Sequence, residues 1–157
     1  MKTRPLHTLG SLSIAFVLAW VASFPVPAKD SHFGEITFPN TTSGEGHTGG
    51  STSLPALVGN RDRNDNFCLG FGDPIPDYIL VLDEDVNQLA IQVDSQGHDT
   101  TLIVQGPDER TLYCADDTEL GPDARLTLPE GKAGRYRIWV GAAEPGVNWT
   151  YKLSVEP

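Results

Sequence analysis

The sequence lacks the short motifs that identify the common enzyme classes. It has no HExxH zinc-protease helix, no GxSxG nucleophile turn and no P-loop. His32, His47 and His98 are scattered along the chain. The stretch GHTGGSTS, residues 46–53, faintly resembles a serine-protease motif, but Thr48 stands where the nucleophile would be, and a triad also needs a placed base and an orienting acid. We therefore predict a non-catalytic protein and keep a small secreted hydrolase as an alternative.

Basic residues are scarce. The chain has 11 lysine and arginine residues against 21 aspartate and glutamate residues. Two of the basic residues and none of the acidic ones lie in residues 1–28, so the remainder carries 9 minus 21, or −12. Such a charge repels nucleic acid and anionic lipid surfaces, and it favours cations, basic partners or simple solubility. We therefore expect no nucleic-acid partner.

The first 28 residues differ from the rest of the chain. Two basic residues precede a 16-residue apolar run, residues 9–24, and Val26 and Ala28 then supply the small side chains that a signal peptidase prefers. The run is short for a membrane span, which needs roughly 20 residues. We predict a cleaved signal peptide over residues 1–28, with an uncleaved anchor as the alternative. The expected location is secreted or periplasmic, without membrane contact after cleavage.

Only two cysteines are present, Cys68 and Cys114, and both follow the predicted signal peptide. Two cysteines in an exported chain most often form one disulfide. Closing this loop of 46 residues would stabilise the fold by about 4 kcal/mol in the chain-entropy model. The alternative is a pair of buried thiols.

Long hydrophobic runs are absent after the signal peptide. Residues 29–53 are rich in Gly, Ser and Thr, with little periodicity, which predicts an irregular or linker-like N-terminal segment with one short strand at residues 35–38. Residues 53–58, SLPALV, would form a further strand or a loop packed on the core.

From Asp77 onward, short segments rich in Ile, Leu, Val, Tyr and Thr alternate with turn material. Strands of 4 to 7 residues at roughly ten-residue spacing, with no helical stretch between them, predict an antiparallel sandwich or barrel of about seven or eight strands. We assign this domain to residues 54–157. The seven clearest segments are DYILVL, LAIQV, TTLIVQ, TLYC, ARLTL, RYRIWVG and TYKLSV.

The segment RYRIWVG gives a candidate docking patch. Tyr136, Ile138 and Val140 share one face of this strand, and Arg137 and Trp139 lie on the other. If that second face is exposed, Trp139 beside Arg137 would dock a sugar ring or a peptide. The alternative is that both faces are partly covered, or that the arginine stacks internally on the tryptophan.

The stretch DTTLIVQGPDERTLYCADD, residues 99–117, predicts a hairpin with carboxylates at one end. A turn at Pro107 and Asp108 gives partners whose numbers add to 215, or to 216 if Glu109 forms a bulge. Asp99 then faces Asp116 or Asp117, and opposed like charges are destabilising.

A hard divalent cation would compensate these charges, and Ca²⁺ is the best candidate outside the cell. We therefore treat the carboxylates of Asp99, Asp116 and Asp117 as a candidate metal site. Alternatively, the carboxylates cap turns, or arginines neutralise them. The arginines considered are Arg61, Arg63 and Arg125.

The quoted motifs resemble the bacterial pre-peptidase C-terminal domain over residues 54–157. They are C-x-G-x₄-IPDYILVL, DTTLIVQGPD, CADDT, GRYRIWVG and the closing YKLSV. The resemblance implies a jelly-roll-like antiparallel β-sandwich that is not itself catalytic and is usually attached to secreted enzymes. Some members bind calcium, collagen or other polymers, and Asp99, Asp116 and Asp117 match acidic positions around the family's hairpin.

These observations together predict an exported binding or accessory module, stabilised by calcium, that docks a secreted or cell-surface protein or polysaccharide. A structural envelope or matrix protein, whose acidic face only maintains solubility, is a further alternative.

Overall fold

The computed structural model of the chain describes residues 30–118 and 121–157. The predicted signal peptide, residues 1–28, lies outside the described residues. No helix in the described ranges is long and apolar enough to cross a membrane. The elements, in chain order, are β1 (Gly34–Phe38), β2 (Ser43–His47), β3 (Thr52–Ser53), α1 (Leu54–Val58), β4 (Phe71–Gly72), β5 (Tyr78–Leu82), β6 (Leu89–Asp94), β7 (Thr100–Gln105), β8 (Leu112–Ala115), β9 (Arg125–Leu128), β10 (Gly134–Ala142) and β11 (Thr150–Glu156).

The strands form two sheets, which confirms the predicted all-β sandwich. The larger sheet has the order β1-β5-β10-β4-β3, and its β7 pairs with both β10 and β8. The smaller sheet has the order β2-β11-β6-β9. Paired strands are antiparallel except β1 and β5, which run parallel with Gly34 aligned to Tyr78. All seven segments predicted from the alternating pattern are strands, β5 to β11.

The core lies between the sheets and follows the predicted alternation. Tyr136, Ile138 and Val140 of β10 are buried there, as expected from their shared face. Burial of such side chains stabilises a fold by roughly 1.5–3 kcal/mol each. The other large side chains fully buried in this cluster include Ile36, Leu80, Leu89, Ile91, Val93, Leu102, Leu128 and Leu153.

The short strand predicted at residues 35–38 is confirmed as β1, but the prediction that the rest of the N-terminal segment is irregular is wrong for β2. The polar stretch SGEGH forms β2, which pairs with β11. A β-carbon at Gly44 would lie 2.6 Å from the Tyr78 ring, and one at Gly46 would lie 2.6 Å from the Tyr151 hydroxyl oxygen. This strand therefore needs glycine where two tyrosines fill the space, so it carries no apolar pattern.

Residues 54–68, which we call the cap, cover part of the outer face of the larger sheet. Residues 54–58 form the helix α1, with proline in its first turn, rather than the predicted strand or loop. Leu54 of α1 packs with Cys68, Ile103 and Trp139 in a second, smaller hydrophobic cluster.

Candidate functional site

The β7–β8 hairpin differs in register from both predictions. Leu102 pairs with Ala115, whereas the predicted registers put Tyr113 or Cys114 opposite Leu102. The loop is longer than expected because Gly106 N–H donates to the Thr111 carbonyl, which leaves four residues in the turn. Within that turn Asp108 accepts the backbone N–H groups of Arg110 and Thr111 and holds the wider loop.

The three aspartates of the predicted metal site nevertheless come together. One carboxylate oxygen from each of Asp99, Asp116 and Asp117 lies within 4.8 Å of the others. Asp99 precedes β7 and the other two follow β8, so adjacent antiparallel strands deliver them to the same end of the sheet. The backbone of Asp99 is held there because Ala143 N–H donates to its carbonyl at 3.2 Å. We call these three residues the acidic triad.

Asp116 is the partly buried member of the acidic triad. Its partial burial raises the pKa of its carboxyl group, and the negative charges of Asp117 and Asp99 raise it further. Its Oδ1 atom is buried and has no hydrogen-bond partner among the described residues. No hydrogen-bond donor occupies the lone pairs of this oxygen, so they can coordinate a cation.

The arginines considered as neutralising partners make other contacts. Arg61 pairs with Asp65 at 3.4 Å, and its guanidinium lies 3.9 Å from the centre of the Phe67 ring. Arg63 donates to the Tyr113 hydroxyl at 3.2 Å, and Arg125 donates to a Gln92 side-chain oxygen at 3.3 Å. Among the ion pairs of the described residues, none involves the acidic triad.

The disulfide between Cys68 and Cys114 is present, as predicted. It joins the segment after α1 to β8, two residues before Asp116. It therefore ties the cap to the strand that directly precedes two members of the acidic triad.

The predicted docking patch of Arg137 and Trp139 is wrong. Trp139 is only 4% exposed, because α1 and the segment bound by the disulfide cover it. Its indole N–H points to the Pro74 carbonyl at 3.4 Å. Arg137 pairs with Glu109 at 2.9 Å. Strand alternation identified the outer face correctly but could not show that a distant segment folds over it.

A second polar site was missed from the sequence. It is a cleft of about 260 Å³ between the N-terminal residues of the described chain, β2 and the loops before β5 and β11. We call it the Asp77 cleft. The only sequence signal is Asp77 itself, an acidic residue directly before the apolar strand β5. The lining residues are His32, Phe33, His47, Gly49, Gly50, Asp73, Asp77, Val140 and Asn148.

Asp77 is 8% exposed. Burial raises the pKa of its carboxyl group to about 7, although the Val140 N–H, Tyr151 and His32 each act in the opposite direction. Val140 N–H donates to Oδ2 of Asp77 at 2.8 Å. The Tyr151 hydroxyl interacts with the same carboxyl group but does not reach full hydrogen-bond geometry with any described residue. His32 pairs with Asp73, Nε2 to Oδ1, at 3.0 Å.

No protein-family model matches the chain, and a search of the curated proteins finds no similar sequence. Among solved structures, the crystal structure of the pre-peptidase C-terminal domain of collagenase from Bacillus anthracis is similar, with a TM-score of 0.53 and 16% sequence identity. The match covers 83% of this chain and 100% of that chain. The resemblance predicted from the sequence is thus confirmed at the level of the fold, and a shared fold alone does not transfer an activity.

Proposed function

We propose that the protein is an exported, non-catalytic accessory module that binds Ca²⁺ at the acidic triad and docks a secreted or cell-surface protein or polymer. The observation that carries the proposal is the approach of three carboxylate oxygens to within 4.8 Å of one another. Like charges this close destabilise the folded chain unless a cation or a proton compensates them.

The spacing fits a calcium ion. Ca²⁺ binds oxygen at about 2.3–2.6 Å, so ligands on opposite sides of the ion are separated by at most about 5 Å. Three carboxylates supply negative charge, and Ca²⁺ would take its remaining oxygen ligands from backbone carbonyls and water. The hydroxyl of Thr100, the residue after Asp99, accepts the Ala124 N–H at 3.2 Å.

The accessory role is supported by the fold and by the composition. The similar solved domain is named as the pre-peptidase C-terminal domain of a collagenase. That name describes one domain of an enzyme and not its peptidase domain. The predicted signal peptide and the disulfide both suit an exported protein. The charge of −12 after signal cleavage, from 9 basic and 21 acidic residues, favours basic partners.

Calcium should stabilise the folded protein. At a concentration 100 times its dissociation constant, a ligand that binds only the folded state adds about 2.7 kcal/mol to the free energy of unfolding. We expect the melting temperature of residues 29–157, measured by calorimetry, to rise with Ca²⁺ and to fall again when a chelator is added. The double variant Asp99→Ala, Asp116→Ala should lose this response.

The matched control is Asp83→Ala, Glu84→Ala, which removes two exposed carboxylates after β5. It should keep the full calcium response, because the triad is intact. Equal melting temperatures of the unmodified protein in calcium and in chelator would contradict the calcium site, while a response retained by the triad variant would place calcium elsewhere.

A hydrolase is the second candidate, and one observation favours it. The Asp77 cleft holds a carboxyl group whose pKa is raised by burial to about 7, a value suited to general acid or base catalysis. Against it, no serine, threonine or cysteine side chain of the described residues lines the cleft. Turnover of ester, glycoside or peptide substrates that disappears in Asp77→Asn would support this candidate over the accessory module.

A further inference from the structure

The Asp77 cleft brings two carboxyl groups together. Asp73 and Asp77 both line the cleft, and among the described residues none of the lining side chains is a lysine or an arginine. His32 pairs with Asp73, whereas Asp77 receives a hydrogen bond from the neutral N–H of Val140. A buried carboxylate that has only neutral donors is stabilised strongly when a cation approaches it.

The cleft also has an aromatic wall. The Phe33 ring lies edge-on to His47, with centroids 5.1 Å apart, and tilted to Tyr78 at 5.8 Å. Phe33 lines the same cleft as the two carboxylates. An ammonium group near an aromatic ring is attracted by the ring's quadrupole, and its alkyl stem gains apolar contact.

The size of the cleft limits the ligand. At about 260 Å³ it is smaller than the roughly 300–1,000 Å³ typical of pockets for drug-sized molecules, so it suits a single side chain better than an oligosaccharide. A metal ion fits less well, because among the described residues only the acidic triad gathers three metal-ligating side chains within 4.8 Å.

We propose that the Asp77 cleft binds a primary alkylammonium group, presented as a lysine side chain on the surface of a basic partner protein. The ammonium group would lie between the Asp73 and Asp77 carboxylates, with its stem against Phe33. The acidity of the whole chain would attract such a partner over a longer range. This inference goes beyond the calcium site and stands without it.

The test uses a capped amino acid as the probe. Residues 29–157, labelled with ¹⁵N, are titrated at pH 8 with Nα-acetyl-lysine methylamide, and with Nα-acetyl-norleucine methylamide at the same ionic strength. The norleucine compound has the same stem without the ammonium group. We expect saturable shifts of the backbone amides of His47, Val140 and Asn148 with the lysine compound and none with norleucine.

Two variants locate the binding. Asp77→Asn keeps an acceptor for the Val140 N–H but removes the charge, and losing a hydrogen bond to a charged group should weaken binding at least about tenfold. Gly49→Leu adds a bulky side chain to the lining of the cleft and leaves Asp77 itself unchanged, and a β-carbon at Gly49 meets only Asn148 Nδ2, at 3.9 Å. Gly49→Leu should therefore fold normally and lose binding, which keeps the test decisive if Asp77→Asn is unstable.

The calcium-site variant Asp99→Ala, Asp116→Ala serves as the control and should bind the lysine probe like the unmodified protein. Failure of the calcium response would thus leave this inference intact. Likewise, failure of lysine-probe binding would leave the calcium site intact. The inference is overturned by an absence of saturable shifts, by equal shifts with norleucine, or by binding that survives both cleft variants. Saturable shifts of the same amides with maltose in place of the lysine compound would also overturn it, in favour of a sugar site.

Discussion

Asp77 combines a structural and an electrostatic role in one side chain. Its carboxylate accepts the Val140 N–H and so joins the start of β5 to β10. Its burial makes the charged form costly, which raises the pKa of the carboxyl group from 3.8 to about 7. The folded protein therefore holds this proton over a pH range in which the unfolded chain has already released it.

The contribution of Asp77 to stability should consequently fall as the pH rises from about 4 to about 7. In this window the folded state binds more protons at Asp77 than the unfolded state, and linkage gives a total loss of roughly 4 kcal/mol. Asp77→Asn is neutral throughout, so it should lack this contribution. Urea unfolding of both proteins at pH 4 to 8 measures it: the stability advantage of the unmodified protein over Asp77→Asn should shrink by that amount. Parallel curves would show that Asp77 does not titrate as described.

Residue-level reasoning from the sequence identified the acidic triad but not the Asp77 cleft. Asp99, Asp116 and Asp117 flank two strands that a turn joins, so their proximity follows from local pattern. His32, His47 and Asp77 belong to segments that meet only through pairing between β1, β5, β2 and β11. No local spacing encodes that meeting.

At the scale of elements, β2 shows how a strand forms without strand-like residues. Its sequence, SGEGH, is polar and glycine-rich, yet it pairs with β11 over five residues. The Tyr78 hydroxyl donates to the Glu45 carbonyl of this strand at 2.6 Å. Here the neighbouring elements supply the apolar surface, and the strand supplies backbone hydrogen bonds and room for the rings.

Replacing Gly44 by alanine should destabilise the fold. The added methyl group would lie 2.6 Å from the Tyr78 ring, and overpacking of this kind typically costs 1–3 kcal/mol. Gly49→Ala is the matched control, because its methyl group makes only an ordinary contact with Asn148 Nδ2, at 3.9 Å, and should change stability by less than about 0.5 kcal/mol. The stabilities of the two variants are compared through their urea unfolding midpoints, provided that the dependence of the free energy of unfolding on urea concentration is the same. Equal midpoints for the two variants would mean that Tyr78 moves aside without cost.

At the scale of the whole molecule, the disulfide joins Cys68, which lies outside the strands, to Cys114 of β8 in the larger sheet. Its loop of 46 residues contains β4 to β7 and part of β8. Cys68 is buried beside Leu54 and Trp139, so the cross-link fixes the cap over the outer face of the larger sheet. The same covering removes Trp139 from the surface and with it the docking patch that alternation predicted.

Replacing both Cys68 and Cys114 by serine should lower the free energy of unfolding by about 4 kcal/mol, because the unfolded chain regains the entropy of a loop of 46 residues. Guanidinium unfolding measures the loss. The calcium affinity of the variant, measured under conditions where it is folded, should stay unchanged, since neither cysteine is among the proposed calcium ligands. A variant as stable as the unmodified protein would contradict this account of the cross-link.

The sequence by itself determined the seven strands β5 to β11 and the all-β class, because alternating apolar residues act through local geometry, and the cysteine count predicted the single disulfide. Only the tertiary structure decided the hairpin register, the strand in SGEGH, the burial of Trp139 and the Asp77 cleft. Each of these depends on which distant segment fills a given space, and that choice is made by close packing between segments far apart in the chain.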